Sequence, residues 1–242
     1  MIRTEDLTKT FGSTVAVNRL TMEVKRGEFF SFLGPNGAGK TTTIKLLTAL
    51  LIPTEGRAFI DGKDVQLDPV GAKRVIGYIP DQPFLYEKLT GREFLRFVGG
   101  LYDMDPNESE RKAEELMELF GVRDVADLLI EEYSHGTKQK LSFSAAFLHD
   151  PRVIIVDEPW VGLDPKSIRF IKSYLRSKVH DGLCVFMSTH TLSIAEELSD
   201  RVGIINGGTL IALGTVAEIM ALKESRNFED VFLDLTATGD EA

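Results

Sequence analysis

The apolar run Glu28-Phe-Phe-Ser-Phe-Leu33 leads directly into Gly34-Pro-Asn-Gly-Ala-Gly-Lys-Thr-Thr42. The run reads as a buried strand, and the residues from Lys40 to Leu51 read as a helix that Pro53 stops. Strand, glycine-rich loop and helix in that order form the phosphate-binding loop pattern G-x-x-x-x-G-K-[ST], with Gly34, Gly39, Lys40 and Thr41 in register. Pro35, Asn36, Gly37 and Ala38 fill the variable positions, and Thr42 follows. Glycine at 34, 37 and 39 lets the backbone take positive φ and approach a ligand with no Cβ in the way. Successive N–H groups then turn inward as an anion nest, and the helix N-terminus adds its own unpaired donors and dipole. Lys40 can reach β- and γ-phosphates, and Thr41 can place its hydroxyl on Mg²⁺.

A second segment supplies the acids such a loop needs. Val153-Ile-Ile-Val156 is a fully apolar run, as a central parallel strand requires, and it ends in Asp157-Glu158. Asp157 is placed to hold Mg²⁺, and Glu158 to orient and deprotonate an attacking water.

The rest of the chain supports an α/β layout. Leu20, Met22 and Val24 alternate with polar residues before the turn at Arg26-Gly27. Residues 56–62 and 75–79 read as further strands. From about 83 to 140 the texture is helical. Asp105-Pro-Asn-Glu108 marks a helix start, with Ala113, Leu116, Met117 and Phe120 on one face and Gly121 beyond the end. After Glu158 the reading is a helix near 167–179, a strand over 183–187 and a helix over 192–198. Strands at 202–205 and 209–213 then flank the turn Asn206-Gly207-Gly208. Phe228, Val231, Phe232 and Leu235 fit one face of a short final helix, and 236–242 reads as a frayed tail.

Composition sets limits. Of 242 residues, 43% are hydrophobic and 27% charged, ordinary for a globular chain. The net charge of −9 argues against a broad nucleic-acid surface. No apolar run approaches the roughly 20 residues needed to cross a bilayer, and the first residues show no secretory signal. The Asn107-Glu-Ser109 sequon is therefore read as unmodified. Cys184 is the only cysteine, so no intrachain disulfide forms, and it reads as a small buried hydrophobe.

Tyr133-Ser-His-Gly-Thr-Lys-Gln-Lys140 resembles the signature of the ATP-binding cassette family, which usually runs LSGGQ and continues into basic and glutamine residues. Ser134 and Gly136 match, whereas Tyr133, His135 and Thr137 depart from it in a way similar to the exporter-like branch. Read without the family, Ser134 and the backbone N–H groups after it make a second anion-binding helix end. Other pieces fall in family order. Phe11 lies where the family stacks an aromatic on adenine. Gly162-Leu-Asp164-Pro165 resembles the loop linking two nucleotide sites, with Asp164 the residue of interest. Ser188-Thr-His190 resembles the switch segment, which implies a contact from His190 to the γ-phosphate. The family's glutamine loop follows a strand like Gly77-Tyr-Ile-Pro80; here Asp81 stands first and Gln82 second, and either fits that role. Trp160 replaces a small polar residue, and packs at a dimer seam or fills a gap.

The resemblance implies an α/β fold: a P-loop NTPase core with an N-terminal antiparallel β subdomain and an inserted helical subdomain. A single domain is expected over 1–242. About 1–82 and 141–220 form the nucleotide-binding core, about 83–140 the helical signature lobe, and about 221–242 a C-terminal helix and tail. It further implies an ATPase with ATP and Mg²⁺ as cofactors, acting as a dimer with itself or a related cassette. Each ATP would be gripped by one P-loop and capped by the partner's Ser134, His135, Gly136 and Thr137. A separate transmembrane permease subunit would supply the pore, with the cassette cytoplasmic and peripheral on the inner face of the membrane. Export is favoured because LYEKLT after Pro83 and the ending FEDVFLDLT resemble exporter-like cassettes. The segment 83–102, where Phe84, Tyr86, Phe94 and Phe97 crowd the start of the helical lobe, is the expected docking surface for the permease. No nucleic acid is expected. The rival, a soluble cassette acting on nucleic acid or ribosomes, would want a long coiled coil or two fused cassettes, and the chain shows neither. A GTPase-type switch would need an Asn-Lys-x-Asp run, which is missing.

Overall fold

The computed structural model describes residues 1–160, 162–222 and 227–237. Strand β1 (Ile2–Phe11) pairs antiparallel with β2 (Thr14–Val24). β3 (Phe29–Leu33) is buried along its whole length and delivers the glycine loop to α1 (Lys40–Leu47). β4 (Glu55–Ile60) returns to pair with β1, and β5 (Lys63–Asp64) completes a four-stranded antiparallel sheet of order β2-β1-β4-β5.

After the short helix α2 (Pro69–Lys73), β6 (Ile76–Ile79) joins a second sheet. The helical segment follows: α3 (Gly91–Leu101), α4 (Pro106–Phe120), 3-10 turns at Arg123–Val125 and Ile130–Glu132, and α5 (His135–Phe147). Then come β7 (Val153–Asp157), α6 (Pro165–His180), β8 (Cys184–Thr189), α7 (Leu192–Leu198), β9 (Arg201–Asn206), β10 (Thr209–Gly214), α8 (Val216–Ala221) and α9 (Phe228–Ala237). The second sheet has order β10-β9-β3-β8-β7-β6. Its members are parallel except β10, which pairs antiparallel with β9 through the Gly207-Gly208 turn, both at positive φ.

The phenylalanines of β3 explain why this sheet sits at the centre. Phe29 joins a core shared with the helical segment, whereas Phe30 and Phe32 join one shared with α1 and the antiparallel sheet. Both faces are thus covered, as parallel strands require. Phe186 of β8 stacks on Phe30 with ring centroids 5.6 Å apart.

Several element boundaries differ from the sequence reading. α1 ends at Leu47 rather than 51, because Ala49 takes φ 54 and turns the chain back, so that Thr54 N–H reaches Thr8 O at 2.8 Å. α6 starts at Pro165, with Asp164 as its cap; this is the same Asp-Pro start that was legible at Asp105-Pro106. α5 runs through residue 140 without a break. Thr236 and Ala237 belong to α9, and the Thr236 hydroxyl donates to Phe232 O at 2.7 Å. Residues 223–226 and 238–242 of the expected C-terminal helix and tail lie outside the described residues.

Candidate active site

The carboxyl ends of β3, β7 and β8 converge, and the loops leaving them build one cleft. Gly34 follows β3 so closely packed that a Cβ there would stand 2.3 Å from Ile205 O. Gly39 has φ 108, and a Cβ on it would meet Ala16 O at 2.3 Å. Both positions need glycine for space, and Gly39 also for its backbone. Lys40, the first residue of α1, is only 8% exposed. Its Nζ donates to Gly34 O at 2.7 Å and Pro35 O at 3.0 Å. Burial lowers its pKa, against the pull of Glu158 and then Asp157, which raise it.

β7 brings in the acids. Asp157 is buried, and Thr41 Oγ1 donates to its Oδ2 at 3.1 Å. Glu158 takes φ 45, an uncommon left-handed conformation for a non-glycine residue, and its N–H donates to Ser188 O at 3.1 Å. Its carboxylate is fixed from β8 and the loop beyond. Thr189 Oγ1 donates to Oε2 at 3.1 Å, and His190 Nδ1 lies 2.7 Å from Oε1. Burial pushes the Tyr78 hydroxyl up to about 12, with Asp157 and Asp81 adding to the effect.

The cleft measures about 370 Å³ and is lined by Ala16, Asn36, Gly37, Gly39, Lys40, Thr41, Thr42, Asp81, Asp157, Glu158 and His190. Ten of these eleven were legible in the sequence; Ala16 was not, since only the close approach of β2 to Gly39 puts it there. Thr189 was likewise passed over, although it stands inside the Ser188-Thr-His190 segment. Gly34 and Pro35 contribute carbonyl groups to Lys40 rather than lining, and Ala38 is buried with its carbonyl accepting from Gly208 N–H at 3.0 Å. Of the two glutamine-loop candidates, Asp81 lines the cleft and Gln82 does not. Phe11 is also not a lining residue; it stands 48% exposed at the end of β1, with Lys9 Nζ 5.1 Å from its ring centre.

The signature segment lies apart from this cleft. Ser134 caps α5, its Oγ accepting from Thr137 N–H at 3.2 Å and lying 2.8 Å from Thr137 Oγ1. His135 packs on Gly162, where a Cβ would fall 2.4 Å from Nδ1. Asp164 accepts from Ser167 N–H at 2.9 Å and Ser167 Oγ at 2.5 Å, and those bonds hold its carboxyl down at about 2. Trp160 is partly buried against the core shared with the helical segment. In the expected docking segment Phe84 is 86% and Tyr86 60% exposed, and Phe97 is half-exposed. Phe94 is a correction: the amphipathic helix α3 turns it inward, and it is 7% exposed in the helical core.

Thr41 and Asp157 offer hard oxygen donors side by side. Among the described residues no cluster of three His, Cys, Asp or Glu groups could enclose an ion. That donor set fits Mg²⁺, which is commonly held by one or two protein oxygens and completed by phosphates and water. A larger groove, about 700 Å³, opens at the amino ends of the parallel strands beside Arg152 and Gly182. Four of its charges pair with one another, Lys112 with Asp150 and Arg152 with Asp61, and it lies away from the strand ends where open α/β sheets bind ligands.

Comparison with known proteins agrees with this geometry. The family model described as "ABC transporter" matches residues 17–161. The linearmycin resistance ATP-binding protein LnrL of Bacillus subtilis (strain 168) is 35% identical over 239 residues, 99% of this chain and 76% of LnrL. A solved ATP-binding subunit of an ABC transporter superposes with a TM-score of 0.92 at 32% identity, covering 97% of this chain and 99% of that one. The cassette MJ0796, solved as a dimer in a post-hydrolysis state with ADP and Pi, superposes with a TM-score of 0.82 at 25% identity over 89% of this chain and 98% of its own. With a P-loop, two terminal acids and a histidine gathered in one cleft, the chain belongs to the ABC transporter family as one of its ATP-binding, ATP-hydrolysing cassettes.

Proposed function

We propose that the chain binds Mg-ATP in the cleft between α1 and β7 and, paired with a second cassette, powers export through a separate membrane subunit. The observation that carries this reading is the convergence of Lys40, the Thr41–Asp157 pair and the Glu158–His190 pair on one 370 Å³ cleft. Lys40 now satisfies its ammonium on two loop carbonyls. A β,γ-phosphate placed in the loop offers it charged acceptors instead, and charge-assisted bonds are the stronger ones. The N–H groups from Gly37 to Thr42 supply the nest. Mg²⁺, held by Thr41 and Asp157, would neutralise charge developing on the phosphates. Glu158 is the base, because its carboxylate borders the cleft and is braced by Thr189 and His190, so it is aimed before substrate arrives. Asp81 is the glutamine-loop residue that faces the same space.

Ser134, His135, Gly136 and Thr137 do not line their own cleft, which supports their acting on a partner's nucleotide. The dimer seen for MJ0796 supports the pairing. LnrL is named for resistance to linearmycin, which favours export over a role on nucleic acid. No helix among the described residues is long and apolar enough to cross a membrane. In this reading a permease from another chain supplies the pore and holds the cassette to the inner face, as the family resemblance implies.

Titration with a fluorescent ATP analogue, alongside phosphate release, tests the cleft. Lys40→Ala should lose most affinity. Glu158→Gln should keep affinity, lose turnover and accumulate as dimer on a sizing column. Full binding by Lys40→Ala, or normal turnover by Glu158→Gln, would overturn the assignment.

A further inference from the structure

Gln139 lies in the second turn of α5 and is fully buried. Its side-chain NH₂ donates to Pro159 O at 3.3 Å, one residue beyond Glu158. Its carbonyl oxygen is buried with no hydrogen-bond partner, and the indole N–H of Trp160, the next residue after Pro159, is buried and unpaired as well. An unmet acceptor and an unmet donor thus flank the same peptide, although buried polar groups are paired in the great majority of cases.

The same stripe of α5 also contacts Gly162 and Asp164. A Cβ on Gly136 would stand 2.5 Å from Gly162 O, so helix and loop are in backbone contact there. Lys140 Nζ lies 3.6 Å from Asp164 Oδ2. Positions 136, 139 and 140 follow the i, i+3, i+4 spacing of one helix face. The end of α5 that carries Ser134 is therefore latched to the loop that carries Glu158.

We propose that Gln139 is a positioning residue for hydrolysis. It ties α5 to the Glu158-Pro159 peptide, and its free carbonyl oxygen accepts the Trp160 indole N–H when nucleotide closes the site. This rests on the reading of Glu158 as the base. The latch has two arrangements: the donor and acceptor are apart without nucleotide and bonded with it. A contact made at the Ser134 end of α5 thereby biases the carboxylate in the chain's own cleft, in the manner of a two-state element that both sites share.

Trp160 is the only tryptophan in the chain, so it reports on the latch directly. The full chain is titrated with Mg-ATP while indole emission is followed, and nucleotide binding is measured separately with a fluorescent analogue. The emission should change with the midpoint of ATP binding. Gln139→Met keeps the bulk and removes both polar atoms. Its kcat should fall about tenfold with KM for ATP within about twofold, and its emission response should vanish. Trp160→Phe should lower kcat similarly, and the double variant should be no slower than either single one, as groups acting as a unit behave. Wild-type emission that stays constant while nucleotide binds would overturn the proposal. So would an unchanged kcat in Gln139→Met, or losses that multiply in the double variant. Should Gln139→Met fail to fold, the wild-type emission and Trp160→Phe still decide. A wild-type chain that binds no ATP would instead overturn the reading of the cleft.

Discussion

Burial pushes the Asp157 carboxyl above its ordinary value, Glu158 and Asp81 push it the same way, and its bond from Thr41 pulls it back. The sign of the consequence follows from linkage. Below the unfolded value of 3.8 the group is protonated in both states and contributes no penalty. Above that value ionisation is opposed by the fold, so at neutral pH the folded chain carries a penalty. Asp157→Asn should therefore raise the thermal midpoint at pH 7 without nucleotide. The same change removes the carboxylate's charge and should weaken Mg²⁺-dependent turnover by about 10–100-fold, the scale seen when a group supporting a bound metal is altered. Thermal unfolding with and without Mg-ATP checks both halves, and a midpoint lowered at pH 7 would contradict this account. Cys184 shows burial acting on a group outside the site. Its thiol is pushed up to about 12, and it stays an inert part of the core.

At the scale of elements, Phe120 holds the helical segment to the core. Its ring stacks on Phe143 at 5.7 Å and Phe147 at 6.2 Å, and meets Phe170 at 5.9 Å and Tyr174 at 5.4 Å edge-on. These rings belong to α4, α5 and α6, so one side chain joins three helices. Phe120→Ala should cost about 3–5 kcal/mol in chemical denaturation, the usual range for emptying an aromatic site in a core. Leu119→Ala, next in sequence but 38% exposed, should cost far less. A loss at Phe120 no larger than at Leu119 would mean that the helices repack around the gap. The ends of α4 were legible because their signals are local: Asp105 caps with its own carboxylate, and Gly121 takes φ 68 past the last turn. Phe94 was misread because an aromatic-rich amphipathic stretch has two faces, and only the packing of α3 on its neighbours says which one is inside. Gln139 is another case of distance. Its partner at Pro159 is 20 residues away, and no periodicity announces such a bond. The order of the central sheet was equally hidden. β3 pairs with β8, Phe29 opposite Val185, across most of the chain.

For the whole molecule the decisive arrangement is that the P-loop and the signature segment, the two halves of the proposed nucleotide site, lie apart within one chain. The P-loop lines the cleft, and Ser134 to Thr137 lie outside it. The exposed Phe84 and Tyr86 belong to the proposed docking segment. Phe84→Ala should leave unfolding unchanged yet reduce co-purification with the proposed membrane subunit from native membranes; undiminished capture would move the docking face elsewhere. Pairing is testable by complementation. Lys40→Ala has a failed P-loop and an intact signature, and Ser134→Arg the reverse, with the bulk added at an exposed cap. Each alone should hydrolyse little ATP. Mixed, they form a pair in which the intact P-loop of one chain meets the intact signature of the other. Random pairing makes half of the dimers mixed, each with one live site of two, so mixing should recover about a quarter of wild-type activity. Recovery would identify a second copy of this chain as a competent partner. Two well-folded variants that stay inactive together would mean that the working partner is a different cassette, because a chain that pairs with itself has to assemble that one intact site.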